Sequence, residues 1–248
     1  MTEIVNNVYK ALKNVLPSEA FIPLHEPLFS GNELSYVKEC FDSRWVSSVG
    51  EYVNKFENEL EDYTRVKHAV ATVNGTAALH ICLKLIDIQP DDEVLLPALT
   101  FVATANAICY CQAIPHFVDS TENTLGLCPK KLEDYLKDIA EIQSGKCINR
   151  LTKRQIKAVI PVHIFGHPVY LDPLLEVCRK FNLNLIEDAT ESLGSFYNDR
   201  HTGNWGILSA LSFNGNKIIT TGGGGAILTN DKNLAKKAKH LTTTSKIK

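Results

Sequence analysis

The sequence predicts an α/β fold, with a mostly parallel, mixed sheet carrying helices on both faces. Three observations lead to it. From residue 68 onward, short apolar runs alternate with stretches of helical periodicity, the order expected of strand–helix–strand units. The segment from Val94 to Val118 has no Asp, Glu, Lys or Arg, yet Pro97, Pro115, Thr100, Thr104, Asn106 and Gln112 interrupt it. It therefore reads as a buried strand, a helix and a second buried strand rather than a membrane span. Finally, 248 residues with 44% hydrophobic and 22% charged content can bury a substantial core.

In chain order, Ile4, Val8, Leu12 and Val15 fall at helical spacing, and Pro17 is expected to close that amphipathic helix. Residues 1–20 are read as an N-terminal helical extension, and 21–248 as one large domain. Two more helical patterns cover Glu33–Phe41 (Leu34, Val37, Phe41) and Tyr52–Tyr63 (Val53, Phe56, Leu60), with Trp45 to Gly50 as a loop between them. The expected strands are His68–Val73, Glu93–Pro97, Ile114–Val118, Lys157–Val162, Asn184–Glu187, Ile207–Phe213 and Gly225–Thr229. Helices are expected at Thr76–Ile86, Val102–Cys111, Pro129–Ile139 and Tyr170–Phe181. The polar segment Glu141–Gln155 reads as a surface loop. Lys236, Lys237 and Lys239 are assigned to the solvated face of a C-terminal helix.

A net charge of −2 and a pI near 6.4 give no electrostatic reason to expect nucleic acid or an anionic membrane as partner. The cysteines are Cys40, Cys82, Cys109, Cys111, Cys128, Cys147 and Cys178. They are odd in number and lack a C-x-x-C pair, which suits reduced thiols in a cytoplasmic protein. The N-terminus has neither the basic start nor the apolar stretch of a signal peptide.

In open parallel sheets, ligands gather where strands end and helices begin. Four features fall at that edge. Asn74-Gly75-Thr76 follows a strand and opens a helix, whose free N–H groups attract an anion; taken alone, a helix cap is the commoner role. Asp188 ends a buried strand, where a carboxylate needs a cationic or hydrogen-bonding partner. A protonated pyridine nitrogen would serve, although a cap or salt bridge is the more frequent explanation. Lys217 follows Ser212 and precedes Gly222 to Gly225. A desolvated lysine there becomes a nucleophile, and the glycine run would permit close backbone packing around it, although taken alone a solvated surface lysine is the commoner case. Phe101 can cover a flat ligand or pack in the core. Together these supply a phosphate anchor, a pyridine partner, a ring cover and a covalent anchor, the four demands of pyridoxal phosphate.

The runs NGTAALH, TFVATANAI, EDATESLGS and SFNGNKIITTGGGGAI resemble the DegT/StrS-type sugar aminotransferases from about Phe21 to the end. That resemblance implies the large domain of a fold-type I pyridoxal-phosphate enzyme. It is strongest to the branch that aminates the 4-keto group of UDP-linked 6-deoxy-N-acetylhexosamines, of legionaminic acid and bacillosamine type, for bacterial surface polysaccharides. By the resemblance, Lys217 anchors the cofactor and later moves a proton. Asp188 meets the pyridine nitrogen, Phe101 stacks on the ring, and Gly75, Thr76 and Ser212 bind the phosphate. Glu191 lies on the phenolic side of the ring. Ser47, Ser48 and Gly50 match a loop near the substrate, and His163 is expected to line the active-site edge. L-glutamate is the implied amino donor, a nucleotide sugar the acceptor, and a homodimer the assembly of the full-length family.

His163 and His167 are spaced as helical metal ligands, but Gly166 and Pro168 argue against a helix, so no metal site is expected. His25-Glu26-Pro27 does not continue into a zinc motif. Members of the resembled family continue past the position of Lys248 into a small C-terminal domain, which is expected to be missing here. Two alternatives accompany the aminotransferase reading: a cofactor-binding remnant without turnover, and a sugar dehydratase of the same fold. Dehydratases of that kind replace the lysine that Lys217 supplies.

Overall fold

The computed structural model describes residues 2–16 and 21–245. Pro17 and the last residues, Lys246, Ile247 and Lys248, lie outside them. In chain order the elements are α1 (Glu3–Val15), α2 (Glu33–Ser43), α3 (Glu51–Thr64), β1 (His68–Thr72), α4 (Gly75–Leu85), β2 (Glu93–Pro97) and α5 (Val102–Tyr110). They continue with β3 (Ile114–Val118), α6 (Pro129–Ile139), β4 (Ala140–Gln143), β5 (Lys146–Asn149), β6 (Gln155–Val159) and a short 3-10 turn (Ile164–Gly166). The chain then forms α7 (Leu171–Phe181), β7 (Asn184–Asp188), β8 (Phe196–Tyr197), β9 (Arg200–His201), β10 (Leu208–Ser212), β11 (Gly225–Thr229) and α8 (Lys232–Thr242).

The main sheet runs β1-β11-β10-β7-β6-β2-β3. Pairings from β10 across to β3 are parallel, whereas β11 lies antiparallel to both of its neighbours. Alternate residues of each strand feed opposite faces. Val94, Leu96, Ala158, Ile186, Leu208 and Ala210 join a core with Leu79, Leu83 and Ile108 of α4 and α5. Leu95, Val159 and Leu185 join one with Leu132, Leu136, Leu174 and Phe181 of α6 and α7. A third cluster seats Leu60 of α3 against Leu211, Phe213 and Leu228. Burial on both faces explains why the strands read as plain apolar runs. The uncharged 94–118 stretch is β2, α5 and β3, and among the described residues no helix is long and apolar enough to cross a membrane.

Two expectations need correction. The segment 141–155 is not a plain loop: β4 and β5 form a hairpin through Ser144 and Gly145 (φ 49° and 77°), and β5 pairs with the start of β6. Positive φ at both central residues is what a two-residue hairpin turn requires, and Ser-Gly suits it. The buried Cys147 side chain pins the hairpin to the core. Lys239 is not merely solvated; its Nζ lies 2.6 and 2.8 Å from the two carboxylate oxygens of Glu57, tying α8 to α3. All seven cysteines are free thiols, with Cys82, Cys111, Cys147 and Cys178 buried. Helix α1 buries none of its residues.

Candidate active site

Strands β7 and β10 end, and helices α4 and α5 begin, around a cavity of about 280 Å³. Its lining includes Gly75, Thr76, Phe101, Asp188, Glu191, Ser212 and Lys217. Small-molecule sites usually occupy about 300–1,000 Å³, so this is a compact one. Larger open clefts of about 1040 and 510 Å³ lie beside α2 and α3. Of the three, the smaller cavity brings the lysine, the carboxylates of Asp188 and Glu191 and a helix start together.

The helix start is built by close approach. Asn74 caps α4, its Oδ1 accepting from the Ala77 N–H at 2.8 Å. Capping therefore uses the third N–H of the helix and leaves those of Gly75 and Thr76 without an intrahelical acceptor. Gly75 has no room for a side chain: a Cβ there would sit 2.9 Å from Ser212 Cβ and 3.0 Å from Thr190 Cγ2. That contact sets the Ser212 hydroxyl beside the two free amides. The glycine run contributes from behind, and not around Lys217 as expected. A Cβ on Gly225 would lie 2.6 Å from the Asn74 carbonyl oxygen, so the run packs β11 against the turn that precedes α4.

Asp188, the last residue of β7, is only 3% exposed. Both of its carboxylate oxygens are held. Oδ2 accepts from the Thr104 hydroxyl at 2.6 Å, and Oδ1 accepts from the Thr190 hydroxyl at 2.8 Å and the Thr190 N–H at 3.2 Å. Cys82 is buried nearby, and burial first, then the Asp188 charge, pushes its thiol pKa upward.

Lys217 sits in the connection between β10 and β11, with its side chain 14% exposed and its Nζ 3.1 Å from Glu191 Oε1. The other oxygen of Glu191 accepts from the Phe165 N–H at 3.1 Å. Glu191 thus bridges the lysine to the 3-10 turn, where Phe165 adopts a left-handed φ of 51°. Phe101 precedes α5, lines the cavity and is 69% exposed, so it is not core packing.

Four expected positions lie elsewhere. His163 does not line the cavity: it is fully buried, its Nε2 3.1 Å from Glu187 Oε2 and its Nδ1 accepting from the Val169 N–H. Glu187 points to the side of the sheet opposite Asp188 and also accepts from the N–H groups of Gly203, Trp205 and Gly206. Burial would raise its pKa, but these bonds, led by that from His163, bring it below the ordinary carboxylate value. A buried imidazole was needed to satisfy this carboxylate, which draws His163 inward. Ser47 and Gly50 line the larger cleft between α2 and α3, and exposed Ser48 is in the same loop. The structure does not bring that loop to the Lys217 cavity.

Thr104 and Thr190 were not anticipated. Each stands in a run quoted for other residues, and a threonine in an apolar helix or after a strand carries no signal until its acceptor is known.

The donor set fits pyridoxal phosphate: free amides with a hydroxyl for a phosphate, a fixed carboxylate for a ring nitrogen, an exposed aromatic for a flat ring, and a half-enclosed amine. The model of the DegT/DnrJ/EryC1/StrS aminotransferase family matches residues 28–247. Over 220 residues the chain is 44% identical to the GDP-perosamine synthase of Caulobacter vibrioides, covering 89% of this chain and 55% of that protein. It is 39% identical to the GDP-perosamine synthase of Escherichia coli O157:H7, covering 89% and 56%. Among solved structures, Helicobacter pylori PseC, an aminotransferase of pseudoaminic acid biosynthesis, superposes with a TM-score of 0.78 at 27% identity, covering 91% of this chain and 57% of that one. The chain spans about half the length of the curated relatives it matches.

Proposed function

This chain belongs to the DegT/DnrJ/EryC1/StrS aminotransferase family, and from that premise we propose that it holds pyridoxal phosphate on Lys217 and serves amino transfer to a nucleotide-linked keto sugar. The observation that carries the reading is the single cavity lined by Lys217, Asp188, Phe101, Gly75, Thr76, Ser212 and Glu191. The amino donor is L-glutamate and the acceptor a 4-keto sugar. Guanosine diphosphate is the carrier we favour in place of uridine diphosphate, because the two relatives at 44% and 39% identity are GDP-perosamine synthases.

Bound pyridoxal phosphate supplies an electron sink for the carbon that gains or loses the amine. The chain's own residues do the rest. Free amides of Gly75 and Thr76, at the positive end of α4, hold the phosphate with the Ser212 hydroxyl. Asp188 would meet the ring nitrogen with its fixed carboxylate and would favour a proton there. Phe101 covers the ring face and keeps water from it. Lys217 would anchor the cofactor through its Nζ and, when that nitrogen is free, would accept and return a proton there. Glu191 receives the charged Nζ when it is free. Keeping a lysine at this point argues against the dehydratase alternative.

The test is direct. Protein incubated with pyridoxal phosphate and reduced with borohydride should carry the cofactor's mass on Lys217 alone. An unlabelled Lys217 rejects the cofactor assignment. Transfer of nitrogen from labelled glutamate to GDP- and UDP-linked 4-keto sugars then separates an enzyme from a remnant without turnover and identifies the carrier.

A further inference from the structure

Asp188 is the one cavity carboxylate whose two oxygens are both tied to hydroxyls before any ligand enters. Thr104 is completely buried within α5, and its Oγ1 donates to Asp188 Oδ2 at 2.6 Å. Because that hydroxyl spends its proton on the carboxylate, it is free to accept from Thr100 Oγ1, which lies 3.0 Å away. Thr190 approaches from the other side, giving Oδ1 both its hydroxyl and its N–H. Its methyl group meanwhile closes against Gly75. The carboxylate plane is therefore fixed by α5 on one edge and by the turn after β7 on the other.

We infer that Thr104 and Thr190 are positioning residues that lock the Asp188 carboxylate in the orientation needed to meet the ring nitrogen of the cofactor, an inference that rests on the cofactor reading above. Neither residue touches the reacting carbons. Their action is geometric and electrostatic: donors to a charged acceptor are the stronger kind of hydrogen bond. Thr190 takes both lone pairs of Oδ1 and Thr104 one of Oδ2, which leaves the second lone pair of Oδ2 for the ring nitrogen. A carboxylate free to rotate would meet the ring nitrogen with one oxygen only part of the time. Thr100 extends the relay to the residue next to Phe101, so the ring cover and the ring partner are set by one turn of chain.

The experiment measures dissociation constants for two ligands on the 248-residue chain: pyridoxal phosphate, and its analogue with carbon in place of the ring nitrogen. Thr104→Val keeps the shape and removes the hydroxyl, and it should weaken pyridoxal phosphate by about tenfold, the scale of one charge-assisted hydrogen bond. The analogue offers Asp188 nothing to meet, so its binding should change by less than about twofold by the same reasoning. Thr104→Ser restores the donor and should restore the preference for the natural ring. Thr190→Val acts on the other oxygen from the cavity wall and carries the same comparison if Thr104→Val does not fold. Equal loss for both ligands, no loss, or failure of serine to rescue would overturn the inference. A wild-type chain that takes up neither ligand overturns the cofactor reading and this inference together, whereas normal wild-type uptake with an unresponsive Thr104→Val overturns this inference alone.

Discussion

Ser212 and Gly75 stand so close that a Cβ placed on the glycine would lie 2.9 Å from the serine Cβ. Through this contact the end of β10 meets the start of α4, and a hydroxyl joins two free amides. Gly75→Ala must push these elements apart, at a cost of about 1–3 kcal/mol by comparison with overpacked cores. Urea denaturation should report that loss, and a cofactor titration should report weaker uptake. An alanine variant with wild-type stability and affinity would mean that the contact is slack.

Gly145 offers a contrasting case. Nothing lies within 4 Å of where its Cβ would be, but its φ is 77°. Gly145→Ala should therefore cost about 1 kcal/mol from backbone conformation alone. Its position in the β4–β5 hairpin leaves cofactor uptake unchanged. The same two assays, run side by side with Gly75→Ala, separate strain at the site from strain away from it.

Lys217→Ala removes a side chain that lines a cavity and lies outside the three core clusters, so the fold should persist with a near-wild-type circular dichroism spectrum. Borohydride reduction should then leave no cofactor mass on the chain. The Lys217→Arg variant should behave alike, since guanidinium keeps the charge beside Glu191 but is not nucleophilic. Labelling of another lysine in either variant would move the site.

Glu187 supplies the clearest pH dependence. Its folded pKa lies below the ordinary 4.5, so the folded state binds fewer protons there than the unfolded state. The stability it contributes is fully present above the unfolded value and disappears as pH falls through the folded one. Glu187→Gln replaces an acceptor of four donors by an amide that itself donates, at a cost of about 1–3 kcal/mol near neutral pH for each buried donor left without an acceptor. The gap between variant and wild type should shrink once the pH drops below 4.5. Urea midpoints at pH 7 and pH 4 would measure it, and a gap that does not change with pH would refute the assignment.

Much of this arrangement is legible in the residue order, for identifiable reasons. Apolar runs at a helix–strand rhythm locate β2, β6, β7 and β10, because burial on both faces leaves no polar positions to confuse. Asp188 and Lys217 are legible only in combination, beside the Asn74-Gly75-Thr76 helix start and Phe101 and through the family resemblance, since each alone has a commoner structural role. The direction of β11 is not legible, since Gly225–Thr229 reads alike in either sense. The β4–β5 hairpin is hidden because its strands are short and polar, with Ser144-Gly145 as the only cue. His163 reads as a site residue until Glu187 is seen facing it. Thr104 is invisible for the converse reason: its partner is 84 positions away in the chain.

The antiparallel β11 has a consequence for the order of assembly. His68 pairs with Thr229, so β1 finds its neighbour in β11, far along the chain. During synthesis β1 must wait without its partner until β11 has left the ribosome, and such distant pairing is slow to nucleate. Nascent chains halted before residue 225 lack β11 altogether. They should be the species that chaperones retain, and release should coincide with the emergence of β11.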